Sequence, residues 1–255
     1  MLIGDAGEIS IRPVPGIPEV TEGFNLGAAI CDGIDVTGDD ILVISQKVVS
    51  KAEGRIVDLG DVTAGSEATA LATELGKDPR LVELILGESR SIVRKDGPRG
   101  ILITETVHGF ICANAGIDTS NLDGSDTVVL LPRDSDRSAR RIRGEIEAEI
   151  GARPAVIVSD SFGRAWRHGQ SEVAVGCAGI DPLDDWRGLP DRSGMILAAT
   201  NIAVVDEIAA AADLARTKTS GTPAICVRGL KRFVQLDDGS GCQTQLREAE
   251  DDLFR

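Results

Sequence analysis

The sequence contains no tyrosine, and aromatic residues make up only 3% of it, with Trp166 and Trp186 its two tryptophans. A core built from this chain must rest on Val, Ile, Leu and Ala. Basic residues are in the minority: 27 Lys and Arg stand against 41 Asp and Glu, a formal charge of −14. That balance argues against the cationic face by which proteins neutralise nucleic-acid phosphates. The five cysteines, Cys31, Cys112, Cys177, Cys226 and Cys242, include no Cys-x-x-Cys. Odd in number and far apart, they fit a reducing cytoplasm, three of them as small buried hydrophobes inside apolar runs. No apolar run approaches a membrane span, and Met1-Leu2-Ile3-Gly4-Asp5 has neither the basic flank nor the apolar segment of a signal peptide. Neither a Walker A sequence nor a G-x-G-x-x-G is present, so neither common nucleotide fold is supported.

What the chain does have is 255 residues at 42% hydrophobic content, enough for an ample core. It shows no internal repeat, low-complexity linker or convincing domain cut, so 1–255 reads as a single unit. The acidic excess with few large apolar residues fits solubility in a salt-rich cytoplasm. Strands are expected over 8–12, 41–44, 91–93, 101–104, 110–113, 127–131, 155–159, 195–200 and 224–227. The run Ile41-Leu42-Val43-Ile44 is apolar throughout, as in a strand covered on both faces. Helices are expected over 25–31, 66–76 with Ser66 as its cap, 79–86, 135–150, 204–214 and within the acidic tail 248–255. In the 135–150 helix, Ile142, Ile146 and Ile150 form the inward stripe, leaving Arg140, Arg141 and Arg143 on a solvated face.

Three polar stretches at strand ends carry the chemistry. The first, Ser45-Gln46-Lys47-Val48-Val49-Ser50-Lys51, sets two lysines four apart beside a strand terminus, where Lys serves as a point charge for phosphate; its bland alternative is an exposed basic turn. The second, Ala113-Asn114-Ala115-Gly116-Ile117-Asp118-Thr119-Ser120-Asn121, packs two amides, a carboxylate and two hydroxyls around a glycine. Asp118 offers oxygen to a hard cation, while Asn114 and Asn121 both donate and accept. The third, Asp160-Ser161-Phe162-Gly163-Arg164-Ala165-Trp166-Arg167-His168, reads as a catalytic loop after a strand. Its Asp and Ser oxygens suit Mg2+ or Mn2+, and Arg164, Arg167 and His168 suit an anionic substrate. Together they describe a nucleotide-dependent phosphoryl-transfer site.

SQKVVSKAEGR, NAGIDTSN, SDSFGRAWRHGQ and TPAICVRGL, in that order, resemble the coenzyme F420-0:L-glutamate ligase (gamma-glutamyl ligase) family in its stand-alone archaeal-type form. The resemblance implies a family-specific mixed α/β fold, an intertwined homodimer, and GTP-dependent addition of L-glutamate to F420-0 through an acyl phosphate. It implies Mg2+ or Mn2+, two ions per site, with K+ as a further ion. Matched by motif position, Pro15, Gly16, Ile17, Pro18, Gln46, Lys47, Lys51, Asn121 and the loop Arg216, Thr217, Lys218, Thr219, Ser220, Gly221, Thr222 would line GTP. Asp118 and Asp160 would hold one metal in the reacting centre, with Ser161 at a second. A family member can present Glu from the late loop to that second metal, whereas this chain has Thr217-Lys218-Thr219 there. A metal-dependent phosphohydrolase and a silent deazaflavin- or nucleotide-binding protein are the competing readings.

Overall fold

The computed structural model describes residues 8–119, 126–217 and 221–253. In chain order its first half carries β1 (Ser10–Pro13), α1 (Leu26–Gly33), β2 (Ile41–Ser45), α2 (Gln46–Ala52), β3 (Ile56–Asp58) and α3 (Ser66–Leu75). Next come α4 (Pro79–Gly87), β4 (Ser89–Asp96), β5 (Ile101–Thr106), β6 (Ile111–Ala113) and β7 (Thr127–Val129). The second half carries α5 (Ser135–Ile150), β8 (Ala155–Arg164), β9 (Arg167–Ala178), β10 (Asp184–Asp185), β11 (Asn201–Ile202), α6 (Val204–Asp213) and β12 (Ala224–Arg228).

Five strands form the main sheet in the order β1-β12-β2-β8-β9, with β2 and β8 parallel and the other pairs antiparallel. As its unbroken apolar run implies, β2 is central and its Ile41, Leu42, Val43 and Ile44 are fully buried. One face of the sheet packs with Leu26 and Ile30 of α1 and Ala139, Ile142 and Ile146 of α5; the other packs with Val205, Ile208 and Ala212 of α6. A separate apolar cluster joins Leu71 and Leu75 of α3, Val82 and Ile85 of α4, Leu102 and Val128. Pro13, which cannot donate to a ladder, sits on edge strand β1. Helix α5 starts with Asp134 accepting from the Arg137 amide and ends at left-handed Gly151. No helix among the described residues is long and apolar enough to cross a membrane.

Several sequence expectations are corrected. Residues 46–52 form helix α2, springing directly from β2, and not the exposed basic turn of the bland alternative. Strand β8 does not stop at Ser159 but runs through Asp160 and Ser161 to Arg164, paired with β9. The expected loop is thus one arm of a hairpin; its polar residues hid the strand because β2 ends opposite Ser159, leaving the arm without a core to cover. Residues 195–200 form no strand: Met195 is 70% exposed, and the segment pairs with 186–191 through scattered backbone bonds and the isolated bridge Pro190–Ile196. Gly65, not Ser66, caps α3. Arg143 is fully buried rather than solvated, its guanidinium donating to the carbonyls of Pro154 and Asp237 and to Asp238 Oδ1 at 2.9, 2.6 and 2.7 Å. Ile150, in the last turn, is 42% exposed and leaves the stripe to Ile142 and Ile146.

Candidate active site

Strand register lines up the polar stretches along one end of the main sheet. Ser45 lies opposite Ser159, Ile44 opposite Ala224, and Pro13 opposite Ile225. The chain leaving β1 (Pro15, Gly16, Ile17, Pro18), the start of α2 (Gln46, Lys47), the outer half of β8 (Asp160, Ser161) and the approach to β12 (Arg216, Thr217, Gly221, Thr222) therefore emerge at one edge. Two amides tie them together: Val14 donates to Ala224 O and Ser45 to Pro223 O, each at 2.9 Å. Gly16 adopts φ 79°, a conformation that favours glycine. Asn121, Lys218, Thr219 and Ser220 lie outside the described residues.

Lys47 and Lys51, one turn apart on α2, have different surroundings. Lys47 Nζ is 2.8 Å from Asp118 Oδ2, joining the first polar stretch to the second. Lys51 is buried and ion-paired with Glu19, which corrects the expectation of an exposed lysine. Asp118 follows a strained turn: Asn114, Ala115 and Gly116 have φ of 52°, 54° and 70° in succession. Each non-glycine left-handed residue costs about 1–2 kcal/mol, so this turn is held by its surroundings. Buried Ala115 and Ile117 provide such an anchor. Asp118 then exchanges both backbone hydrogen bonds with Val129 at 2.9 Å, fixing its backbone on the end of β7.

Asp160 is the most perturbed carboxylate of the group. Its pKa is pushed up to about 7, chiefly by desolvation and with added repulsion from Glu172 and Asp118, against the opposing bonds from the Ser161 amide, at 2.9 Å, and Gln46. The carboxylates of Asp118 and Glu172 repel that of Asp160, which favours a cation, and their oxygens are hard donors of the kind that hold Mg2+ or Mn2+. Neighbouring residues on a strand point to opposite faces. Asp160 pairs with Val173 whereas Ser161 pairs with Glu172, so the site uses both faces of the arm where it passes the end of β2.

Glu172 is the residue that the sequence reading missed. It is buried; Ser161 Oγ donates to its Oε1, and Arg216 Nη2 donates to its Oε2 at 3.0 Å. The same Arg216 Nη2 reaches Ser159 Oγ at 3.1 Å, and Arg216 Nε reaches Asp213 Oδ1 at 2.9 Å. Because Ser161 spends its hydroxyl proton on Glu172, its oxygen keeps lone pairs for another partner. Reading 160–164 as a strand would have brought 170–172 near Ser161, and the register shift between Gly163 and Arg164 is what sets Glu172 opposite it. Arg164, Arg167 and His168 instead occupy the exposed tip of the arm, where Arg164 Nη2 donates to His168 O at 2.9 Å. The structure does not group them with the acids.

Residues 16–229 match the family model described as F420-0:Gamma-glutamyl ligase. The chain belongs to that family. It is 42% identical to the coenzyme F420:L-glutamate ligase of Methanothermobacter thermautotrophicus, over 97% of this chain and 99% of that protein. Proteins of the same name from Methanopyrus kandleri and Halorubrum lacusprofundi are 39% and 41% identical. They cover 99% and 95% of this chain, matched over 100% and 94% of their own lengths. Membership makes the chain a ligase of the F420 gamma-glutamyl class.

Proposed function

We propose that this protein joins L-glutamate to coenzyme F420-0 at the expense of GTP, through an acyl phosphate, and then adds a further glutamate by its γ-carboxylate. The observation that carries the reading is the meeting of Lys47, Asp118, Asp160 and Ser161 at one sheet end. A carboxylate resists amide formation because oxide is a poor leaving group. Phosphorylation by the GTP γ-phosphoryl group turns that oxygen into a leaving phosphate, which departs when the amine of glutamate attacks.

Lys47 and Lys51 lie beside the GTP phosphates, with Pro15–Pro18, Gln46, Asn121 and the 216–222 loop along the nucleotide. Asp118 and Asp160 hold one divalent ion, Mg2+ or Mn2+, and Ser161 faces a second, whose charge offsets that of the phosphates and aligns the reacting oxygens. Glu172 acts here as a positioning residue: by accepting the Ser161 proton it aims and enriches the hydroxyl oxygen, as carboxylates behind metal ligands do. It stands in part for the acid absent from Thr217-Lys218-Thr219, which weakens the case for a silent binding protein. Arg216 balances the charge of Glu172 while reaching toward the nucleotide. K+ is a further ion of this reading. The projecting β8–β9 arm, with Trp166 86% exposed near its tip, supports an intertwined homodimer of the family-specific fold, working in the cytoplasm.

The acyl phosphate has a direct test. F420-0 carrying heavy oxygen in its terminal carboxylate should pass one heavy oxygen to the inorganic phosphate released. Phosphate that takes its oxygen from water, with GDP formed in the absence of glutamate, would point to the phosphohydrolase instead.

A further inference from the structure

A cleft of about 440 Å³ opens at the start of α5, on the face of the sheet that α5 covers. Arg90, His108, Arg133 and Arg140 line it, over an apolar floor that includes Phe110 and Val175. Its size falls in the range of small-molecule sites. Three guanidinium groups converging on one cavity are unexpected in a chain of −14 charge, where acids are available to pair them.

Among the described residues, Arg133 and Arg140 make no side-chain ion pair, and Arg90 approaches Glu105 only at 3.9 Å. Asp134 and Asp136 also line the cleft, and each commits its Oδ1 to backbone amides. Asp134 Oδ1 accepts from the Arg137 amide at 2.9 Å, and Asp136 Oδ1 accepts from Cys177 and Cys242 at 2.8 and 2.9 Å. His108 adds a second observation. Its Nε2 is 3.0 Å from Arg133 O and must donate to that carbonyl, while its Nδ1 is buried without a partner. With Nε2 as the donor, Nδ1 keeps a lone pair, an unmet acceptor that a ligand carrying an N–H or O–H beside its anionic groups would satisfy.

The cleft also adjoins the acid cluster. Phe110 packs edge-on against Phe162, which follows Ser161 on β8, with ring centroids 6.3 Å apart. Phe162 and Asp160 lie two residues apart on the same side of β8, roughly 7 Å at the usual rise per residue. A ligand anchored at the arginines would reach the metal-binding carboxylates with its other end.

We propose that this cleft binds the anionic groups of an acid substrate, as carboxylate or phosphodiester, and holds that substrate against the end of the sheet where phosphoryl transfer takes place. Guanidinium forks match either oxyanion in geometry. The inference rests on the ligase reading and locates its non-nucleotide substrate. Both L-glutamate and the deazaflavin F420-0 carry such groups.

The test uses the full chain and the double variant Arg133→Gln/Arg140→Gln at fixed ionic strength. Deazaflavin fluorescence reads F420-0 binding, and calorimetry reads L-glutamate and Mn2+–GTP. Losing charge-assisted bonds should raise the Kd of the true occupant by roughly tenfold or more. Affinity for Mn2+–GTP and the melting temperature should stay unchanged. A rise confined to F420-0 identifies the deazaflavin as occupant, and one confined to L-glutamate identifies the amino acid. Wild-type affinity for both ligands in the double variant overturns the cleft assignment while leaving the ligase reading intact. A wild-type protein that binds Mn2+–GTP but neither ligand contradicts both.

Discussion

Replacing Asp160 by Asn should stabilise the metal-free protein at pH 8 and remove its response to divalent ions. In the folded state the Asp160 pKa rises from 3.8 to about 7. At 1.36 kcal/mol per unit, that shift is worth roughly 4 kcal/mol. The sign follows from linkage. A raised carboxyl binds its proton more tightly in the folded state, so stability is full below about pH 4 and is lost as pH rises through 7. Asn removes the penalty but weakens the bonds from the Ser161 amide and Gln46, at about 1 kcal/mol each. The expected net gain at pH 8 is roughly 2 kcal/mol, falling toward zero or below at pH 4. Urea unfolding at fixed protein concentration measures this directly. With Mn2+ at a hundred times its Kd, the wild type should gain about 2.7 kcal/mol and the variant almost nothing. A variant less stable than wild type at pH 8, or one that keeps the full Mn2+ gain, would refute the reasoning.

Four other outcomes are expected. Glu172→Gln should weaken the second Mn2+ ion by about 10–100-fold in the presence of a non-hydrolysable GTP analogue, leaving the first ion in place; loss of both ions would deny Glu172 its positioning role. Mn2+ titration of the wild type should count one ion per chain without nucleotide and two with it, and two ions in the nucleotide-free protein would contradict the assignment. Lys51→Ala should weaken GTP binding in calorimetry and cost up to about 1 kcal/mol of stability, because Glu19 is 78% exposed and stays solvated when its partner is lost; unchanged GTP affinity removes Lys51 from the site. The melting temperature should climb from dilute buffer to molar KCl as salt screens the −14 charge, and a flat curve would end the link between acidity and salt.

How much of this was legible in the sequence depended on whether the signal was local. The buried strand β2 and helix α5 announce themselves through an unbroken apolar run and through the Ile142 and Ile146 stripe. Lys47, Asp118 and Asp160 were legible as chemistry, because short polar residues at the ends of apolar strands have few other uses. Their meeting was not, since it comes from the register of β1, β12, β2 and β8. Glu172 stayed hidden because its partners Ser161 and Arg216 reach it only through hairpin pairing and the turn after α6. Arg143 and Lys51 misled for the same reason: each is buried by acceptors from distant segments, 235–238 and Glu19. Residues 195–200 misled in the other direction, offering strand-like composition with no neighbour to bury it.

The most direct measurement supplies the purified protein with F420-0, L-glutamate, GTP and Mn2+ and follows the deazaflavin by mass spectrometry. The account predicts product heavier than F420-0 by one and then two glutamyl residues, with one GDP formed for each addition and none when either acid substrate is omitted. Deazaflavin of unchanged mass, whether GDP accumulates without glutamate or no nucleotide turns over, would contradict it.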